Sequence, residues 1–273
     1  MIILGGTPIG NLSDASKRLR ETLETVTVIA SEDTRMTHKL LAGLEISNRP
    51  RLIALHDHNE SAISAEVVEL ARENDVLVLS DAGMPTVSDP GYHVVQAAIA
   101  ANVVVTSVPG PSAVLTALAV SGLPTDRFTF EGFLPRKQGE RRALFEQLGR
   151  EPRTMIFFES PNRLEDSLAD AVVVLGAERQ AVVCRELTKK FEETKRGSLA
   201  ELVDWASDGV RGEIVFLIRG AAATEVSLEA GLAEVSRLTA TGMRLKDACA
   251  QVAESTSLSK RDLYQAALEG KVN

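Results

Sequence analysis

Cysteine is scarce in this chain. The two present, Cys184 and Cys249, stand far apart and in no metal-binding spacing. That excludes a disulfide framework and a cysteine-based metal site, and it fits a reducing cytoplasmic setting. Long apolar runs are missing as well: no stretch approaches the ~18 residues of a membrane span. The N-terminus, MIILGGTPIG, has no basic lead and too short an apolar run for a signal peptide. Aromatic residues make up only 4%, too few to suggest a base-stacking platform for single-stranded RNA. Histidine occurs four times. Two of these fall in His56-Asp57-His58-Asn59-Glu60, at alternate positions that do not face one way on a helix, so no metal site is expected. A positive excess is also lacking: the net charge is −8, which argues against indiscriminate binding to nucleic acid or membranes. The expectation is a soluble, metal-free cytoplasmic protein.

What is present is a core-forming chain, 44% hydrophobic over 273 residues, long enough for two domains and a small appendage. Short apolar runs recur at Ile2–Leu4, Val26–Ala30, Leu52–Leu55, Val76–Ser80 and Val103–Val108, with helical patterns such as Ser16–Thr25 and Ala62–Asn74 between them. A strand spacing of roughly 25 residues suits β-α units and a parallel sheet. A second set of strand-like runs follows at Phe128–Phe130, Met155–Phe158, Ala181–Arg185 and Glu213–Ile218. Beyond Ala221-Ala222-Ala223-Thr224 the pattern is helical only. The expected division is 1–124, 125–224 and 225–273, with Gly122-Leu123-Pro124 as the hinge. Residues 1–124 hold 8 basic and 14 acidic side chains, net −6, so the first domain should repel phosphate.

Five strand ends carry unusual loops. Gly5 to Asp14 follows the first strand, but Gly5, Gly6 and Gly10 with Pro8 between them do not match a dinucleotide fingerprint. Asp14 reads as a helix N-cap, and the three glycines suggest close backbone approach to a ligand. Ser31-Glu32-Asp33-Thr34-Arg35 reads equally well as a helix start capped by Ser31, with Arg35 paired to a carboxylate. The His56–Glu60 stretch reads as a polar loop at the sheet mouth. Residues 79–91, LSDAGMPTVSDPG, and Val108 to Ala113 complete the set. In an open parallel sheet, ligands bind beyond the carboxyl ends of the strands. Gly83 would let backbone approach a ligand, with Pro85 and Pro90 holding the shape.

Taken together, GTPIGNLSD (6–14), SEDTR (31–35), HDHNE (56–60), LSDAGMPTVSDPG (79–91), VPGPSAVLTALAVSGL (108–123), FEGFLP (130–135), FFESPNR (157–163), RELTK (185–189) and GEIVFLI (212–218) resemble the tetrapyrrole methylase superfamily. The resemblance implies two α/β domains, a parallel sheet and then a mixed one, with a small C-terminal helical domain here. It implies S-adenosylmethionine bound in the cleft between them. Carried over by motif, the cofactor residues are Pro8 near the transferred methyl, then Ala82, Gly83, Met84 and Val87. Ser112, Ala113, Phe158, Glu159 and Leu187 complete them. Met84 stands where tetrapyrrole-modifying members carry an acidic residue, so backbone groups would hold the methionine end of the cofactor. Asn162 departs from the histidine of many relatives.

Within the superfamily the chain resembles the branch that methylates a ribose 2′-hydroxyl, on a cytidine in the decoding region of 16S ribosomal RNA. The branch also implies a homodimer. The rival readings are a sibling acting on a tetrapyrrole or a modified amino acid, and a non-catalytic ribosome-assembly module. A ribose hydroxyl is a poor nucleophile, so a general base would help. Glu32, Asp33, Asp57, Asp81 and Glu186 are candidates, with Lys189 as a neutral amine or an electrostatic aid. Alignment should carry most of the rate. RNA affinity needs cations. Residues 135–153 are net +3 and 185–196 net +2. Arg136, Lys137, Arg141 and Arg142 are the expected RNA contacts, with Arg237, Arg244, Lys246, Lys260 and Arg261 assisting.

Overall fold

In a computed structural model of the chain, residues 1–56, 58–222, 227–256 and 258–269 are described. The β-branched runs form β1 (Ile2–Gly5), β2 (Val28–Ser31), β3 (Arg51–Ala54), β4 (Val76–Leu79) and β5 (Val105–Val108), paired in parallel in the order β3-β2-β4-β1-β5. Between and after them run α1 (Lys17–Thr25), α2 (Thr34–Gly43), α3 (Glu60–Glu73), α4 (Tyr92–Ala100) and α5 (Ala113–Ser121). The period of two along each strand splits the sheet's side chains between two cores. Ile2, Val76 and Val78 pack with Val67 and Val94 on one face. Ile3, Leu77 and Leu79 pack with Leu19 and Leu41 on the other. A sheet covered on both faces explains why its strands read as continuous apolar runs.

The second sheet has β6 (Phe128–Phe133), β7 (Thr154–Glu159), β8 (Gln180–Arg185), β9 (Glu193–Ser198) and β10 (Ile214–Ile218) in the order β6-β7-β10-β8-β9. Only β6 and β7 run parallel, so the sheet is mixed. α6 (Gln138–Gln147), α7 (Pro161–Leu175) and α8 (Leu199–Ala206) cover one face. The other face takes α5: Val114, Ala117 and Leu118 pack with Ile9 against Ile156, Val182, Val215 and Leu217. The two sheets therefore share a core. Met1–Gly149 and Thr154–Arg219 form one compact unit.

That shared core removes the expected hinge. At Gly122-Leu123-Pro124, the Arg196 guanidinium donates to the carbonyls of Ser121 (2.9 Å) and Val120, and the Thr154 hydroxyl donates to the Pro124 carbonyl (2.7 Å). Gly122 closes α5 in the left-handed conformation, φ 78°. The basic stretch 185–196 ends β8 and enters β9. Two further expectations need correcting. The helix cap is Ser16, whose hydroxyl accepts from the Leu19 N–H at 3.0 Å, while Asp14 closes a 3-10 turn. Ser31 lies in β2 and accepts from the Thr37 hydroxyl, and Asp33 caps α2 in its place.

A second unit comprises Arg150–Arg153 and Gly220–Asn273. Its helices α9 (Leu228–Ala240), α10 (Leu245–Ser255) and α11 (Lys260–Glu269) enclose Val235, Leu238, Ala248, Cys249, Val252 and Leu263. The expected boundary at 224 lies outside the described residues. No helix among the described residues is long and apolar enough to cross a membrane.

Candidate functional site

β4, β1 and β5 are neighbours, so the loops leaving their carboxyl ends lie side by side. The loops after β1 and β4 are stitched together: Thr7 and Gly83 exchange backbone hydrogen bonds at 2.9 and 3.2 Å. Gly6 meets Gly110 backbone to backbone, and a Cβ on Gly6 would stand 2.5 Å from the Gly110 nitrogen. A Cβ on Gly5 would strike Leu79 and Leu77, and one on Gly10 would strike Lys189. These glycines serve close approach within the protein, and Gly10 also lines the second cavity below. Gly83 differs. Its φ is 82° and its Cβ would meet only ordinary contacts, so backbone conformation is what requires glycine there.

The long loop after β4 is held at both ends. Glu60 is buried, and one carboxylate oxygen accepts the N–H groups of Gly91 (2.9 Å), His93 (2.7 Å) and Val94 (3.4 Å). It thus caps α4, which has no cap of its own. Glu60 is an anchor, not a mouth residue, and the described residues of the His56–Glu60 loop line neither cavity below. Thr86 and Ser88 are forced to φ 76° and 62°, and across the cleft Glu186 and Thr188 take 50° and 66°. A β-branched residue in that region is strained, and such strain clusters where a fold holds a functional shape.

These loops and the facing ends of β6, β7 and β10 enclose a cavity of about 390 Å³, within the usual range for small-molecule sites. Nine of the ten expected cofactor residues line it: Ala82, Gly83, Met84, Val87, Ser112, Ala113, Phe158, Glu159 and Leu187. Phe133 and Phe158 meet edge to face at 5.4 Å, offering an aromatic corner to a flat ring. Asp89 and Glu213 are acidic members of an otherwise largely apolar lining, whereas the Glu159 side chain is buried behind it. An amphipathic cation with one aromatic end, such as S-adenosylmethionine, fits that donor set. Glu159 is largely committed: it accepts from the Ser160 N–H (2.7 Å), the Ser167 hydroxyl (2.7 Å) and Arg163.

Pro8 lies instead on a second cavity of about 340 Å³, with Met36, Thr37, Lys39, Asp81 and Lys189. Ile9, Ala82 and Glu213 line both cavities and form the wall between them. Of the candidate bases, Glu32 follows β2 with its N–H on the Leu79 carbonyl at 3.4 Å and lines neither cavity. Asp33 is bound by Arg35 at 2.6 Å, and that contact lowers its carboxyl to about 2. Glu186 accepts from the Glu213 N–H (3.0 Å) and Lys189 (2.9 Å), which hold it below the ordinary range. For Lys189, burial works against the charge, but Glu186 and Glu213 at 2.9 and 3.1 Å outweigh it, so the amine stays protonated. Lys189 is a cation, which removes its reading as a neutral amine. Asp81 is exposed and accepts the Asp33 N–H at 3.1 Å; partial desolvation of its carboxyl pushes it up, the Asp33 charge adds to this, and together they outweigh the lowering by the Asp33 N–H and by Arg35. Asp57 lies outside the described residues. No group of metal ligands occurs among the described residues.

The four expected RNA contacts also separate. Arg136 is exposed, and Lys137 is exposed but paired with Glu140 at 2.9 Å. Arg142 is half-exposed and bound to Asp170 at 2.6 Å. Arg141 is buried, 4% exposed, against the same carboxylate at 2.5 Å. It is a core residue and cannot touch RNA in this fold.

Residues 1–203 match the family described as Tetrapyrrole (Corrin/Porphyrin) Methylases, and residues 226–271 match one described as RsmI C-terminal HTH domain. The ribosomal RNA small subunit methyltransferase I of Mycobacterium tuberculosis (strain CDC 1551 / Oshkosh) is 48% identical over 272 residues, 99% of this chain and 95% of that one. Among solved structures, the methyltransferase CobJ superposes with a TM-score of 0.60 at 18% identity, over 83% of this chain and 96% of that one. Uroporphyrin-III C-methyl transferase from Thermus thermophilus, complexed with S-adenyl homocysteine, gives 0.54 at 19% identity, over 80% and 96%. The chain belongs to the tetrapyrrole (corrin/porphyrin) methylase family, alongside the ribosomal RNA small subunit methyltransferase I proteins.

Proposed function

We propose that this protein transfers a methyl group from S-adenosylmethionine to the ribose 2′-hydroxyl of a cytidine in the decoding region of 16S ribosomal RNA. The observation that carries the reading is the pair of adjoining cavities, one lined by nine of the expected cofactor residues and one that carries Lys39, Asp81 and Lys189 in its lining, with Ile9, Ala82 and Glu213 common to both. The relatives named for small-subunit ribosomal RNA support RNA as the acceptor. The cofactor supplies an activated methyl on a sulfonium sulfur. The chain's residues must then hold acceptor and methyl in line and keep water out. The loop of residues 80–91 and Ser112 to Ala113 hold the cofactor from the first lobe, and Phe158, Glu159 and Leu187 from the second. Pro8 lies on the acceptor side.

In this division of labour 1–124 serves the cofactor, 125–224 serves cofactor and RNA together through its basic stretches 135–153 and 185–196, and 225–273 gives further RNA contact. The active form is a cytoplasmic, metal-free homodimer, which sedimentation and metal analysis would check. Labelled-methyl transfer onto small subunits from a strain lacking the gene tests the whole reading, with mapping of the modified nucleotide. Label appearing on a base, on a protein or nowhere would overturn it.

A further inference from the structure

We infer that Asp81 is the general base that takes the proton from the acceptor hydroxyl, with the Lys189 ammonium steadying the charge that grows on the oxygen. The inference rests on the function proposed above and adds to it the residues that make the hydroxyl reactive.

The argument is one of place first. A methyl group moving from one cavity to the next must cross at their shared wall, which includes Ala82. Asp81 precedes Ala82 in the chain and lines only the acceptor side. Lys189 lines that same cavity. It is fixed by Glu186 and Glu213, so it does not swing over to neutralise Asp81. The second argument is availability. Asp33 is chelated by Arg35 and Glu186 by Lys189. Among the described residues Asp81 makes no ion pair; its bond is to the Asp33 N–H. The charged groups around it are Asp33 at the cap of α2, Arg35 and Lys39 of α2, and Lys189 and Glu213 from the second lobe. Asp81 is exposed as a residue, yet partial desolvation of its carboxyl and then the Asp33 carboxylate raise its proton affinity above that of an ordinary aspartate, outweighing the Asp33 N–H and the Arg35 charge, which lower it; that is the direction a base requires.

The step balances without a further reactant. The 2′-oxygen forms a bond to the methyl carbon while the carbon–sulfur bond breaks. That bond's electron pair stays on sulfur, leaving a neutral thioether. The hydroxyl proton passes to the Asp81 carboxylate and then to water when the product leaves.

Single-turnover methyl transfer to small subunits is the test, on wild type, Asp81→Asn and Asp81→Glu, with cofactor affinity by calorimetry and RNA affinity by filter binding. Asp81→Asn is expected to slow transfer by about 10²–10⁴-fold at neutral pH with both affinities unchanged. The wild-type rate should rise with pH through the titration of one carboxylate. Asp81→Asn should lose that limb, and Asp81→Glu should restore part of the rate. Independently of activity, carboxyl-carbon NMR of the ligand-free protein should show one aspartate, absent from Asp81→Asn, titrating above the ordinary value. Asp81→Asn within about tenfold of wild type, or a deficit fully accounted for by weaker binding, would overturn the assignment. Absence of transfer by the wild type itself would instead sink the functional reading, and this inference with it.

Discussion

Replacing Arg141 by Ala should damage the fold and leave RNA binding alone, the reverse of what a basic stretch implies. Arg141 and Asp170 are 4% and 1% exposed, joined by bonds of 2.5 and 2.8 Å to one carboxylate oxygen. Arg142 and Gln138 hold the other oxygen at 2.6 and 3.1 Å. Removing one partner of a buried pair costs about 3–5 kcal/mol. The surviving Arg142 bond places Arg141→Ala near the low end, about 3 kcal/mol. Arg142 is 40% exposed, so Arg142→Ala should cost about 1 kcal/mol or less. For a unit of this size the first change should lower Tm by roughly 6–12 °C and the second by about 2–4 °C. Trp205, the single tryptophan, packs on the same core as Phe145 and reports this transition by fluorescence.

The pH dependence has a definite sign. Burial pushes the Asp170 carboxyl up, but the bonds from Arg142 and Arg141 outweigh it and leave it below the ordinary value. A depressed carboxyl stabilises the fold above the unfolded value of about 3.9 and loses that contribution as pH falls through the folded value. The gap between wild type and Arg141→Ala should therefore be full at pH 7 and close in the acid range below about 4. Equal losses for Arg141→Ala and Arg142→Ala, or a gap that widens in acid, would refute the reasoning.

The double change Arg136→Ala with Lys137→Ala should leave Tm unmoved and weaken RNA binding across sequences. It should also flatten a filter-binding salt titration by up to about 0.7–0.9 log units for each phosphate left without its cation; an unchanged slope clears both residues. Glu60→Ala removes the carboxylate that caps α4, a loss of about 1–2 kcal/mol. Because the same bonds anchor the loop of residues 80–91, calorimetry should show weaker S-adenosylmethionine binding, and unchanged affinity would show that loop to be held by other interactions. Gly6→Ala would drive a methyl into the Gly110 backbone, an overpacking cost of about 1–3 kcal/mol that thermal melting reads; a stable variant would mean the two loops can part.

Much of the first sheet was legible because its strands are buried on both faces. Val76-Leu77-Val78-Leu79 has nothing exposed to interrupt it. β9, Glu193-Thr194-Lys195-Arg196-Gly197-Ser198, has no such signature. It is an edge strand whose polar side chains are largely half-exposed, and pairing with β8 makes it a strand. The glycines of the first loop signalled close approach correctly, but sequence does not say whether the approaching group is a ligand or Gly110. Arg141 and Arg136 look alike for the same reason. What distinguishes them is Asp170, which comes from α7 and reaches Arg141 only in the folded core.

The candidate bases show where more could have been read. Arg35 stands two positions from Asp33, and Lys189 three positions from Glu186, both within reach of a local ion pair. The neighbours of Asp81, Val78-Leu79-Ser80 on one side and Ala82-Gly83-Met84-Pro85 on the other, include no cation. A carboxylate with no local cation, placed directly after a buried strand in a loop stiffened by prolines, already differs from one that begins a helix beside its own arginine. What sequence could not supply is the wall. Ile9, Ala82 and Glu213 come from three distant segments. Their meeting depends on α5 packing against the second sheet through the core that includes Val114, Leu118, Val215 and Leu217. The chemistry at Asp81 is thus set by apolar packing that carries no chemical signature of its own. A substitution such as Leu118→Ala, at no ligand-lining position, would act on methyl transfer by shifting one lobe against the other.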